Sequence, residues 1–446
     1  MFLRRSRKPT LFLPIEIQSR ELISKCLIAL VAADNDFRVF IGWKGHIRLQ
    51  PSFLPPGTVL EKSASPGSAE IFSELKRSGN KIFVLDEEGL LYLDPTSYIE
   101  RRLSNESVEI VDGIFTWGEN SQKLISYAAP KARVYMTGNP RIDLLNPIFR
   151  NIYQDYIKGI RMKFGEFILI NTSFGICNWK KEDCFAEEYL KDMKERNKIN
   201  SQDHSLRLQD YFNYKKQNMI GFRSLAVSLA LKYPDTNIVI RPHPSEDVNY
   251  WSILEKSYPN ILIRSEHDSI PWILGAKAII QNDCTTGVEA GLTGCNVINF
   301  NCDLLQSPNF ELVSRLTRSA RTIDEVINLL ESKSSNDGSE SFRQVIPKFI
   351  VNWNNDKLAA TKIVELISLN CLAYTEKKLP ARNYLERISN TYKLYMSKNY
   401  RSNKFPGLSK SLIENTIKNL QTSTGSKSLI KVKQITRDLF EISSKL

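Results

Sequence analysis

Residues 237–247, NIVIRPHPSED, decide the reading of this chain. A β-branched run, Ile238, Val239 and Ile240, stops at a histidine held between Pro242 and Pro244. β-Branched side chains suit a pleated, buried strand, whereas proline fixes φ and donates no ladder hydrogen bond, so pairing must end there. The stretch therefore predicts a buried strand that delivers one imidazole, His243, to its carboxyl end. In an open parallel α/β sheet, ligands sit outside the carboxyl ends of the strands, where a rigid His-Pro can meet a phosphate or a leaving group. Taken alone, an HP dipeptide favours the plainer reading of a structural turn with a solvated histidine. Three further strand ends change that balance.

Outward from this stretch, strand and helix patterns alternate. Strands are expected at 10–17, 37–41, 58–61, 81–85, 113–116 and 133–137, with helices at 19–33, 69–78, 106–111 and 119–127. After a proline-led segment, GNPRIDLLNPIFRNIYQDYIKGIRMKF, a second series begins. It has strands at 167–171, 238–241, 261–263, 278–281 and 296–300, and helices at 219–232, 250–257, 270–274 and 286–292. Such alternation implies α/β architecture with parallel sheets covered on both faces. The boundaries follow: an N-terminal domain at 1–138, a connector at 139–165, a C-terminal domain at 166–332 and a helical basic tail at 333–446. The polar insertion at 178–218 reads as a surface helix in preference to a mobile flap, and SKSSNDGSES reads as a linker.

At 446 residues the chain exceeds the size at which one core keeps growing, which agrees with two domains and an appendage. The hydrophobic share of 42% and charged share of 25% are those of a globular protein. Net charge is +12, and residues 371–446 alone hold 15 Lys and Arg against 5 Asp and Glu, leaving the remainder near neutral. A basic tail suits an anionic surface, either membrane headgroups or nucleic acid, unless it is simply a solvated helical face. Seven scattered cysteines with no CxxC pair argue for reduced thiols and against a disulfide framework or a zinc site. The start, MFLRRSRKPTLFLPIEI, mimics a signal peptide, but Pro14 and Glu16 end its apolar run early, and no window of about 18 apolar residues could span a bilayer. The expectation is a cytoplasmic protein, at most peripheral at the inner face of a membrane.

Candidate chemistry falls at four strand ends. LDEEGL places Asp86, Glu87 and Glu88 where a strand stops; neighbouring carboxylates can lift one pKa toward that of a general base, although the cluster also suits a solvated loop. In NTSFG, Asn171, Thr172, Ser173 and Gly175 let backbone N–H groups approach an anion, without matching a dinucleotide or NTPase loop. In RPHPSE, Arg241 either meets a phosphate or braces the strand end. In QNDCTTGVEAGLTG, Thr285, Thr286 and Gly287 open a helix whose N-terminus can hold an anion. There the competing reading is a capping box, Thr286-x-x-Glu289, that serves only its own helix.

The ordered set LPIEIQSREL, LDEEGL, FTWGEN, TGNPRIDLL, ILINTSFG, IRPHPSE and CTTGVEA, over roughly residues 10–330, resembles the bacterial surface carbohydrate biosynthesis protein family. More distantly, an acidic-acidic-Gly motif, an HP motif and paired hydroxyls are similar to bacterial sialyltransferases and capsule 3-deoxy-octulosonate transferases. The resemblance implies two Rossmann-like domains facing a cleft, the GT-B arrangement, with the first domain on the acceptor side and the second binding a nucleotide-sugar. It implies a glycosyltransferase of surface polysaccharide biosynthesis that uses a CMP-activated sugar acid and a glycan or lipid-linked acceptor. Glu87, or less favourably Asp86, then matches the catalytic base. His243 matches the contact to the departing phosphate, Thr285 and Thr286 the paired hydroxyls, and Glu289 fits a ribose contact. Three acids before Gly89 depart from the pattern and leave the base ambiguous, and the basic tail is unexplained by it. No DxD-like motif stands at a strand end of the second domain, so neither a metal nor another cofactor is expected.

Two other classes stay open at this point. A CDP-glycerol-type glycerophosphotransferase also uses an HP motif in a GT-B frame and would differ in its donor. A non-enzymatic nucleic-acid-binding protein rests only on the sequence pI near 9.2 and the tail; no aromatic stacking module accompanies them, so no nucleic-acid partner is expected.

Overall fold

The computed structural model describes residues 8–49, 54–179, 186–195, 199, 202–266, 268–302, 310–332, 340–353, 357–371, 388–390 and 404–445. Most of the linker at 332–341, and residues 180–185 of the polar insertion with Cys184, lie outside them. The strands are β1 (Thr10–Ile15), β2 (Arg38–Trp43), β3 (Thr58–Glu61), β4 (Lys81–Leu85), β5 (Gly113–Thr116), β6 (Val134–Met136), β7 (Phe167–Asn171), β8 (Asn237–Arg241), β9 (Ile261–Ile263), β10 (Ala278–Gln281), β11 (Val297–Phe300), β12 (Arg318–Ala320), β13 (Ile430–Thr436) and β14 (Leu439–Ser444). The chain divides into two compact units, one of Met1–Leu90, Arg101–Ile152 and Pro347–Leu446, the other of Leu91–Glu100 and Tyr153–Ile346. The division falls inside the helix Arg150–Phe164.

The first unit is built on an eight-stranded sheet in the order β13-β14-β2-β1-β3-β4-β5-β6. Strands β1 to β6 run parallel. β1 reads TLFLPI and is buried along its whole length, as a central parallel strand covered on both faces must be. Phe12 stacks on Phe40, and Phe83 on Phe115, each pair with ring centroids 5.3 Å apart. The second unit holds a six-stranded parallel sheet, β12-β11-β10-β7-β8-β9. On one face Ile168, Ile170, Ile238, Ile240, Ile280 and Ile298 pack against Phe222, Leu225 and Leu229 of the helix Gln202–Lys232. Burying such side chains stabilises by about 1.5–3 kcal/mol each, which is what makes the β-branched runs strands here.

The C-terminal region departs from the expected helical tail. β13 and β14 form an antiparallel hairpin, and β14 pairs with β2 from Leu439↔Gly42 to Ile442↔Val39, so the end of the chain completes the first sheet. The helix Ala359–Cys371 packs on the helix Gln18–Asp34. Hydrophobic alternation in β13, where Ile430 and Val432 flank Lys431, is diluted by charge, and the basic count hid a strand. The described residues of the tail are thus part of the fold.

Two of the quoted motifs dock this returning segment. Val351 N–H donates to Trp117 O at 2.9 Å, and a Cβ at Gly118 would strike the backbone of Phe349. Gly138 has φ +80, and a Cβ there would run into Asn352. The Asn352 amide donates to Asn139 O at 3.1 Å and to Asp143 Oδ1 at 2.7 Å, while the N–H groups of Ala359 and Ala360 each donate to the Asp143 carboxylate at 2.9 Å. Burial pushes the Asp143 carboxyl up to about 6 against the pull of these donors. Replacing it leaves buried N–H groups without acceptors, so Asp143→Ala should cost about 3 kcal/mol in urea unfolding. Because its folded pKa lies above the unfolded value, the wild-type contribution is fully present below about pH 4 and falls as pH rises through about 6. Asp143→Asn should flatten that part of the stability–pH curve.

Candidate active site

In the first unit, β4 ends in the acidic triplet and delivers three carboxyl groups to three different environments. Arg102 donates from Nη2 to Asp86 Oδ1 and from Nη1 to Glu88 Oε2, both at 3.0 Å. Burial works to raise the Glu88 pKa, but Arg102 and then Arg20 outweigh it and hold the carboxyl down at about 2. The Asp86 carbonyl accepts from Trp117 Nε1 at 2.6 Å and from Asn139 Nδ2 at 3.4 Å, so LDEEGL, FTWGEN and TGNPR converge on one atom. Glu87 is only 3% exposed, and its Oε2 has no hydrogen-bond partner among the described residues. Burial raises its pKa, Lys25, Arg141 and Arg20 oppose the rise, and Glu21 adds to it. A buried carboxyl with a raised pKa and an uncommitted oxygen is the state a general base near neutral pH requires.

In the second unit, the loop after β7 and the turn after β8 are tied by Glu246, a residue the sequence reading passed over. Its Oε1 accepts from Thr172 Oγ1 (2.7 Å), Phe174 N–H (2.9 Å) and His243 N–H (3.1 Å). Its Oε2 accepts from Trp251 Nε1 at 3.0 Å and from Asn178 Nδ2 at 3.5 Å. The His243 ring is half-buried, and its Nδ1 accepts from Ser245 N–H at 3.2 Å with Ser245 Oγ at 2.7 Å. That acceptance puts the neutral ring's proton on Nε2, the nitrogen able to donate to an anion. A Cβ on Gly175 would come within 2.0 Å of Ser245 Oγ, so glycine is what lets NTSFG lie against the His-Pro turn. These two motifs are therefore neighbours in space.

The remaining candidates separate. Arg241 donates to Glu266 O at 2.8 Å and lies 5.1 Å over the Trp272 ring; burial lowers its pKa to about 10. Those contacts brace the segment after β9. Thr172 spends its hydroxyl on Glu246. Cys284 takes the N-cap position of the helix Thr285–Leu292 without a side-chain bond, two residues before the Thr286 that the capping-box pattern requires, which removes that reading of Glu289. Thr285 and Thr286 occupy the first turn, Gly287 lies against Gln281, and Glu289 is buried. Asn171, 4% exposed, keeps its Nδ2 without a partner among the described residues at the end of β7. Among the described residues, no group of His, Cys, Asp and Glu is arranged to hold a metal ion.

The polar insertion holds a surprise. The helix expected at 219–232 runs from Gln202 to Lys232, and its first half buries His204, Leu208, Phe212, Tyr214 and Lys215. Lys215 Nζ donates to Ser173 Oγ (2.9 Å), Asn282 O (3.2 Å) and Asn282 Oδ1 (2.6 Å). Tyr214 Oη donates within a web that includes Asp283 (2.7 Å) and Asn301 (2.8 Å). This segment is not a surface helix.

No protein-family model and no curated protein matches the chain. Solved structures do. UDP-GlcNAc 2-epimerase of Methanocaldococcus jannaschii, in complex with UDP-GlcNAc and UDP, is 12% identical with a TM-score of 0.50 over 81% of this chain and 99% of that one. A protein of Listeria monocytogenes, provisionally a UDP-N-acetylglucosamine 2-epimerase, is 15% identical with a TM-score of 0.50 over 84% and 99%. The wall teichoic acid polymerase TagF gives 13% identity and a TM-score of 0.49 over 83% and 90%. The first two likenesses show the fold: α/β, with two Rossmann-like domains of the GT-B type.

Glu246 is the tie whose loss should be felt first. Glu246→Ala strands the donors of Thr172, Phe174, His243 and Trp251, and should destabilise by roughly 3 kcal/mol or more in urea unfolding. Glu246→Gln, which keeps one carbonyl acceptor, should lose less.

Proposed function

We propose that this chain is a glycosyltransferase of surface polysaccharide biosynthesis. It moves a sugar, in the favoured form a CMP-activated sugar acid, from a nucleotide donor to a glycan or lipid-linked acceptor without a metal ion. The acceptor is activated by the first unit and the donor is held by the second. The observation that carries this reading is the chemical separation of the acidic triplet: Arg102 occupies Asp86 and Glu88, whereas Glu87, buried with a raised pKa, keeps one oxygen without a partner among the described residues. An acceptor hydroxyl has a pKa far above neutrality, so its proton must leave as the oxygen attacks, and Glu87 takes it. On the donor side, His243 Nε2 and the opening turn of the helix Thr285–Leu292 serve the departing phosphate. Preorganised donors of this kind lower a barrier by several kcal/mol because they need no reorganisation when charge develops. Thr285 and Thr286 add hydroxyls, and Glu289 contacts the ribose.

The His-Pro turn would serve equally well if the donor were CDP-glycerol and the transferred group a phosphoryl-alditol, so donor identity separates the two readings. No described helix is long and apolar enough to cross a membrane. Peripheral contact with anionic lipid belongs to the proposal, through exposed Lys427, Lys431, Lys433 and Lys445 around the C-terminal hairpin. Because that hairpin completes a sheet, charge reversal and not truncation is the way to test it.

Calorimetry with CMP, CDP, UDP and GDP decides the donor: tight binding of CMP favours the sugar-acid reading, preference for CDP favours the phosphotransferase, and binding of none overturns both. With the donor in hand, Glu87→Gln should lower transfer by roughly 10²- to 10⁴-fold while donor affinity holds. Asp86→Asn and Glu88→Gln should cost less. The raised Glu87 pKa places the acid limb of the pH–rate profile above the usual carboxylate range, and Glu87→Gln should abolish that limb. His243→Ala should depress turnover with the thermal midpoint unchanged, since the ring is only half-buried.

A further inference from the structure

We infer that Lys215 is the positioning residue of the phosphate site, clamping the loop after β7 and the turn after β10 into one anion-binding frame. The inference rests on the donor site proposed above. Lys215 is 2% exposed, a cost that a lysine side chain rarely bears without a carboxylate partner. Here the three bonds that Nζ makes among the described residues go to neutral oxygens, Ser173 Oγ, Asn282 O and Asn282 Oδ1. The rings of Phe174 and Tyr211 lie 5.6 and 5.7 Å from the same nitrogen. The acids in this part of the unit have other work: Glu246 gathers the loop donors, and Asp283 is bound by Tyr214 and Asn299.

What the clamp holds is suited to an anion. Ser173 Oγ donates to Asn282 O at 2.8 Å, closing a ring of contacts that joins the two loops through Lys215. Beyond the clamp, the N–H groups of Ser173, Gly175 and Ile176 donate to no described residue, and the helix Thr285–Leu292 opens its first turn three residues after Asn282. These N–H groups lie on either side of Phe174, whose own N–H goes to Glu246, and unpaired loop N–H groups and a helix N-terminus both suit an anion. Asn171, whose Nδ2 has no partner among the described residues, stands at the end of β7 in register with Gln281, whose side chain lies against Gly287 of that helix. Lys215 fixes the spacing of these donors and adds a positive charge that no carboxylate among the described residues contacts directly, so the phosphate of the bound donor serves as its counter-charge.

The test compares each nucleotide with its nucleoside, because a merely structural lysine would weaken both alike. In calorimetry on the full chain, Lys215→Met should reduce affinity for CMP or CDP roughly 10- to 100-fold, the span of a charge-assisted contact, and leave cytidine binding unchanged. Equal loss for nucleotide and nucleoside, or no loss, overturns the role of Lys215 while the donor reading stands. If the wild type binds no nucleotide, the donor reading falls. A pyrophosphate thermal shift then decides the clamp alone: a shift in the wild type that Lys215→Met removes keeps it, and no shift overturns it. Should Lys215→Met fail to fold, Ser173→Ala takes its place, keeping the charge and removing one arm. It should lower nucleotide affinity several-fold and spare the nucleoside, and an unchanged ratio overturns the inference.

Discussion

Glu246 gathers five donors from four separate places in the chain, and the second unit's strand-end geometry depends on that gathering. Parallel strands reach their carboxyl edge from distant parts of the sequence, so the loops there share no ladder that could hold them together. One carboxylate has acceptor sites enough to do it. Through Oε1 it fixes Thr172 and Phe174 on one side and the backbone of His243 on the other, and through Oε2 it reaches Trp251 in the core. Burial raises the Glu246 pKa, and the donors, Thr172 first, pull it back. Asp143 does the same work in the first unit, where it accepts from the opening residues of the helix Ala359–Cys371. In both units a buried acid, not an apolar contact, joins segments that hydrophobic patterning alone would leave loose.

The acidic triplet shows how adjacent identical groups acquire different chemistry. Glu87 and Glu88 are neighbours in sequence, and burial acts to raise both. Consecutive residues at the end of a strand point in different directions, so Glu88 meets the Arg102 fork and Glu87 does not. The cations near Glu87, Lys25 foremost, act across a distance, and Lys25 itself is engaged by Glu21 at 3.1 Å and by the Pro14 carbonyl. Desolvation therefore prevails at one carboxyl and pairing at the other. Pairs of acids whose environments push them apart are the arrangement that acid–base chemistry at neutral pH uses.

Much of this architecture was legible in the sequence, because buried parallel strands are β-branched runs bounded by turn residues, as in FILIN, NIVIR and AIIQ. The helix Gln202–Lys232 was legible only in its second half. Its buried positions His204, Leu208, Phe212, Lys215, Met219, Phe222, Ala226 and Leu229 keep a helical period throughout, but a histidine and a lysine stand in the stripe. An apolar template cannot see a core position filled by a cation whose partners lie some 40 and 70 residues away. β13 escaped for a related reason, since Lys431 and Lys433 occupy one face of an edge strand, where lysine guards against unwanted pairing. The His-Pro turn and the acidic triplet were readable as positions; which carboxyl was left uncommitted was not, because Arg102 finds Asp86 and Glu88 only in three dimensions.

Preorganisation is most marked at the end of β10. Asp283 has φ +45, a left-handed conformation that costs a non-glycine residue about 1–2 kcal/mol. Its N–H donates to Asn299 Oδ1 at 2.9 Å, Asn299 Nδ2 returns a bond to its carboxylate at 2.8 Å, and Tyr214 Oη adds a third at 2.7 Å. Gln281 secures the next step, accepting from Cys284 N–H at 2.7 Å and donating to Asn299 at 2.8 Å. The turn is sharp enough that Cys284 takes the N-cap position and Thr285 is the first residue of a helix. A turn held by this many buried amides has no slack, so the N–H groups it aims are fixed before any ligand arrives. Strain retained at that point, when a glycine would have relieved it, is offset by the bonds that Asn299 and Tyr214 make to Asp283, which tie the turn to β11 and to the helix Gln202–Lys232.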